Sequence, residues 1–128
     1  MDKYIIFVLW CAYCCYEGWR EGLFFHKVEV DKEGGKILHA NWTIQRALVL
    51  GMILITNLHW WVISLPFVFS MLHNGSYYTT RNKYNRQIYT KKWFAQSTSS
   101  TAWSTKFFTP VVRTICAIIG IGLLIILK

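Results

Sequence analysis

Glu17, Arg20 and Glu21 stand in a stretch of chain that is otherwise almost wholly apolar. They are related as i, i+3 and i+4, so on a helix all three share one face. A second polar group, Asn57 and His59 with Thr56 and Ser64 close by, interrupts a later apolar run. Arg113 interrupts the last one. Charged side chains in apolar surroundings are costly unless they pair, meet water or hold a metal.

Three chemistries suit these residue types. In the first, Arg20 neutralises the glutamates and His59 hydrogen-bonds a neighbouring helix, which fixes helix register without a reaction. In the second, Glu17, Arg20, Glu21, Asn57 and His59 line a proton path, an ion site or a ligand pocket. In the third, Glu17, Glu21, His26, His39 and His59 bind zinc or iron, for which carboxylate and imidazole are suitable ligands. No His-x-x-x-His or Glu-x-x-His spacing supports the metal arrangement. A haem held by His59 and His73 lacks matching histidines on the other apolar runs, and Pro66 interrupts the helix between them. The expectation is therefore no cofactor, with zinc or iron as the alternative, and no catalytic residue.

The elements that must position these groups follow from composition. The chain has 128 residues, 54% hydrophobic, 17% aromatic and 16% charged. Soluble domains carry about 25% charged residues, so charge here is too sparse to coat a water-facing surface. Seven Trp suit membrane–water interfaces. The fold class expected is an all-α integral membrane protein, one transmembrane domain over 1–128, with helices at about 4–26, 44–72 and 107–127. A span needs about 20 residues to cross about 30 Å of hydrocarbon. The first run reaches that length only by taking Glu17, Arg20 and Glu21 into its outer half. With Tyr4 and Leu72 at the inner boundary, Glu17 and His59 both lie roughly 20 Å up, which would let them meet.

Between the first two runs, Val28-Glu-Val-Asp alternates and Gly34-Gly35 offers a turn, the pattern of a short hairpin. Residues 73–106 carry six Lys/Arg and no acid, so they form a basic aromatic loop placed in the cytoplasm by the positive-inside rule. The N-terminus falls on the same side and the C-terminus on the opposite one. Arg81, Lys83, Arg86, Lys91, Lys92 and Trp93 are expected on anionic lipid headgroups, with Arg113 snorkelling to the same surface. Tethering to the bilayer makes lipid, rather than nucleic acid, their partner. Cys11, Cys14 and Cys15 on one helix, and Cys116 alone, read as small apolar residues rather than a disulfide framework. No small-x-small site follows the first apolar run, so a cleaved leader is not expected.

A small polytopic chain of this kind is expected to be a structural or accessory subunit that oligomerises or assembles with partners in a membrane complex. The alternative is a small pore, either of the hole-forming, holin-like kind found in phages or conducting ions or protons. The third class is a membrane metal-binding protein or enzyme using Glu17, Glu21 and His59.

Overall fold

The computed structural model describes residues 2–27, 32–57, 59–85 and 107–127. They form α1 (Lys3–Lys27), α2 (Lys32–Asn57), a 3₁₀ turn (Trp60–Ser64) that runs into α3 (Leu65–Tyr84), and α4 (Pro110–Ile126). No strand occurs among the described residues. The Asp2 carboxylate accepts from the Tyr4 N–H at 2.8 Å and caps α1. Thr109 Oγ1 accepts from the Val112 N–H at 3.3 Å, and Pro110 occupies the first turn of α4, where its missing N–H costs nothing.

The apolar run 44–72 is not one helix. A single helix over it would be about 44 Å long, well beyond the about 30 Å of a hydrocarbon core. α2 ends at Asn57, whose side-chain amide donates to the Ile53 carbonyl at 2.8 Å and so competes with the backbone ladder. His59 is extended (φ −118°, ψ 145°). Pro66 then fits only because it lies in the first turn of α3. The chain reverses there into a helical hairpin.

Contacts along the helices set their directions. Trp10 Nε1 donates to the Leu65 carbonyl at 2.7 Å, Ser76 Oγ to the Cys15 carbonyl at 2.6 Å, and His26 stacks on Tyr84 at 4.2 Å. α1 and α3 therefore run parallel. α2 returns antiparallel to them, with Trp42 against Phe25 and Val49, Leu50 and Ile53 against the core. α4 is also antiparallel to them: Arg113 Nε donates to Ser70 Oγ at 3.2 Å, and Lys3 Nζ donates to the Leu127 carbonyl at 3.0 Å. Lys3, His59 and Leu127 thus share one end of the bundle, the terminal end, while His26 and Tyr84 mark the far end. Of the expected sidedness, the described residues show that Lys3 and Leu127 share an end, while 86–106 lies outside them.

Ile6, Trp10, Cys14, Trp61, Val62, Leu65, Val68 and Leu124 make a buried apolar core in the terminal half. In the far half α1 and α3 touch through glycine. A Cβ on Gly18 would stand 2.2 Å from the His73 carbonyl oxygen, and one on Gly22 would stand 2.9 Å from Thr80 Cβ. Four residues apart, these two glycines let the backbones approach closely. Gly34 and Gly35, read from sequence as a turn, lie inside α2, and the alternating Val28–Asp31 segment lies outside the described residues. Residues 73–84, read as loop, are the second half of α3.

Among the described residues, Gly34–Asn57 is the one helical stretch long and apolar enough to cross a membrane, with a mean hydropathy of 1.2. α4 is strongly apolar but 17 residues long. Gly18→Ala is expected to push α1 from α3 and destabilise the fold by about 1–3 kcal/mol. Gly51→Ala, which meets nothing within 4 Å, should leave it unchanged or slightly more stable. Unfolding by denaturing detergent in mixed micelles checks both; equal midpoints for Gly18→Ala and the unsubstituted chain would refute the close approach.

Candidate functional site

Two carboxylates on α1 are almost completely enclosed: Glu17 is 1% exposed and Glu21 2%. They project one turn apart toward the groove between α2 and α3. α2 answers with Arg46, whose Nη2 pairs with the Glu21 carboxylate and stands 3.6 Å from Glu17 Oε2. α3 supplies His73, its Nε2 3.2 Å from Glu21 Oε2 and 3.2 Å from Arg46 Nη2. Arg20, on the partly exposed flank of α1, reaches Glu17 Oε1 at 2.9 Å. Three helices thus meet in one ion-pair cluster.

The charges balance. Two carboxylates face two guanidiniums, so the cluster is neutral when His73 is neutral. With its proton on Nε2, a neutral His73 donates to Glu21 and leaves Arg46 to the carboxylates. Rings hold the ions in place. The Arg46 guanidinium lies 4.7 Å from the Phe69 ring centroid, His73 stacks on Phe69 at 5.0 Å, and Arg20 sits 6.0 Å from the Trp42 ring. Above the cluster, Phe24, Phe25, His39 and Trp42 pack mostly edge to face.

The cluster is only partly the one expected from sequence. Glu17, Arg20 and Glu21 share a face as their spacing requires. His59 is not with them: it is exposed at the terminal end, because the chain turns at Asn57 instead of continuing as a helix. Asn57 caps the end of α2 with its own amide, which donates to the Ile53 carbonyl. Arg46 and His73 take their place. Arg46 carried a signal, being the one Lys or Arg between Lys36 and Arg81 in a chain whose first helix needs a second cation.

The proposed metal set is not gathered either. His26 stacks on Tyr84, His39 packs on Phe25 and Trp42, and His59 is at the other end. Among the described residues no three His, Cys, Asp or Glu are grouped as metal ligands.

Of the residues expected at lipid headgroups, Arg81 and Lys83 lie in the last turn of α3, where cations suit the helix dipole. Arg86, Lys91, Lys92 and Trp93 lie outside the described residues. Arg113 does not snorkel outward. It is 4% exposed and donates to Ser70 Oγ from a face of α4 turned against α3.

Comparison with protein-family models, curated proteins and solved structures finds no match.

Removing one partner of a buried ion pair leaves an uncompensated charge and typically costs about 3–5 kcal/mol. Arg46→Leu is expected to lose that much stability in the same micelle assay. His59→Ala, at an exposed turn, should stay within about 0.5 kcal/mol. Equal losses for the two would place His59, not Arg46, with the carboxylates.

Proposed function

We propose that this chain is an integral membrane protein whose four helices all lie in the bilayer, and that it acts as a structural or accessory subunit assembling with copies of itself or with partners. The observation that carries this is the inversion of polarity between inside and outside. Glu17, Glu21, Arg113, Asn74 and Thr80 are buried, while Ile5, Val8, Leu48, Met52, Ile55, Ile118 and Ile125 are exposed. Water would reverse both preferences, whereas hydrocarbon favours them.

Aromatic residues support the same placement. Tyr4 and Trp60 are exposed at the terminal end, and Phe24, Phe25 and Trp42 cluster near the far end. From Tyr4 to Phe24 the helix rises about 30 Å, the thickness of a hydrocarbon core. Glu17 then lies about two thirds of the way across.

The accessory role draws support from the way the polar groups are used. Glu17, Glu21, Arg20, Arg46 and His73 pair with one another within a single chain. A pore between copies would need such groups on the outer surface; the outer face of α2 at that depth presents Ile44 and Leu48 instead. The outward aliphatic faces are free for lipid or for neighbouring helices.

Residues 81–106 carry Arg81, Lys83, Arg86, Lys91, Lys92 and Lys106 and no acid, which puts the far end in the cytoplasm by the positive-inside rule. Both termini then lie on the opposite side, and the basic residues meet anionic headgroups. Topology reporters fused to the N- and C-termini are expected to give the same signal, opposite to one inserted after Asn85; unlike signals at the termini would overturn the four-helix placement. Native mass spectrometry from lipid is expected to release a complex heavier than one 15.1 kDa chain. A lone chain under those conditions would count against the accessory role.

A further inference from the structure

Two kinds of contact join the helices. α1, α3 and α4 meet backbone to backbone. A Cβ on Gly18 or Gly22 would collide with α3, and one on Gly120 of α4 would stand 2.9 Å from Phe67 Cβ and 3.0 Å from the Ser64 carbonyl oxygen. Hydrogen bonds cross the same contacts, from Trp10 to Leu65, from Ser76 to Cys15 and from Arg113 to Ser70, and Lys3 closes α1 on Leu127. None of these passes through α2.

α2 is attached differently. Its backbone comes close to the rest of the bundle at the 3₁₀ turn that follows it and hardly elsewhere. No residue from 36 to 57 is buried, and Gly51 has open space where a Cβ would stand. Over that range Arg46 alone makes hydrogen bonds or ion pairs with other helices. The other contacts are apolar or aromatic: Val49, Leu50 and Ile53 against the core, and His39 and Trp42 against Phe24 and Phe25. Lipid tails are as apolar as such side chains and replace these contacts at little cost, a step that rests on the proposed bilayer placement. They do not replace a guanidinium beside two carboxylates.

We infer that α2 is a strap, closed over the Glu17–Glu21 face of an α1–α3–α4 unit and released from it as one piece when Arg46 lets go. Proteins open in cooperative pieces of this size, and the pieces with few buried contacts open first. Release leaves Glu17 with Arg20 and Glu21 with His73. The open groove then holds one carboxylate without a cation, and that uncompensated charge keeps the strap closed at rest. The groove fits one helix bearing a cationic side chain at this level, the place that Arg46 fills.

Electron–electron double resonance on the full chain in lipid nanodiscs tests the strap, with nitroxides on non-natural ketone side chains so that Cys11, Cys14, Cys15 and Cys116 stay untouched. Labels at exposed Val8 of α1 and Ile118 of α4 report the three-helix unit, and labels at exposed Leu48 of α2 and Ile118 report the strap. In Arg46→Leu the Leu48–Ile118 pair is expected to gain a population longer by about 10 Å, one helix diameter, while the Val8–Ile118 distance keeps its width. An unchanged Leu48–Ile118 distance would overturn the strap, and so would both pairs broadening together. If Arg46→Leu does not fold, the unsubstituted chain in rising denaturing detergent decides. Loss of the Leu48–Ile118 distance ahead of the Val8–Ile118 distance supports the strap, and simultaneous loss rejects it. Either rejection leaves the membrane placement standing, because the topology reporters read that independently.

Discussion

A carboxylate enclosed away from water must have a cation beside it, and this chain encloses two. Glu17 and Glu21 share one face of α1, so their demand falls on whatever lies in the groove opposite. Arg20 meets part of it from the same helix, at the edge of the bundle. The second cation is Arg46 on α2, and His73 on α3 adds a hydrogen bond to Glu21, which binds three helices to a single point. The tie matters most for α2, which has no buried residue from Lys36 to Asn57. Beyond its apolar contacts with the core and its ring contacts with α1, Arg46 is what holds α2 in register.

α1 and α3 are built on the same plan. Each is apolar in its first half and polar in its second, and because they run parallel, like halves meet. The terminal half packs Trp10, Cys14, Trp61 and Leu65 into a conventional core. In the far half the glycines at 18 and 22 bring the α3 backbone close enough for His73 to reach Glu21. Close packing through small residues and polar contacts between side chains both select which helix faces meet. Both devices occur here at one level of the bundle.

Much of this was legible before the fold was known. α1 was expected at 4–26 and spans Lys3–Lys27; α4 was expected at 107–127 and spans Pro110–Ile126. Apolar length and a proline in the first turn are local signals, and they sufficed. The shared face of Glu17, Arg20 and Glu21 followed from helical spacing. The middle of the chain was misread for two physical reasons. Hydropathy does not distinguish one long helix from two helices folded back on each other when the turn between them, around His59, carries no Gly or Pro. The second half of α3, polar enough to be taken for loop, is helical because its polar side chains face other polar side chains in the interior.

Composition and charge placement alone settle that this chain is helical, apolar on most of its length, and burdened with carboxylates on its first helix that need cations. They do not settle which cations. His59 and Arg46 are both separated from Glu17 by tens of residues, and only the reversal after Asn57 carries one away and brings the other in. Partner choice across helices depends on where the chain turns and how closely backbones approach. Those are properties of the packed bundle, because the energy of an ion pair depends on a distance that no local pattern of residues contains.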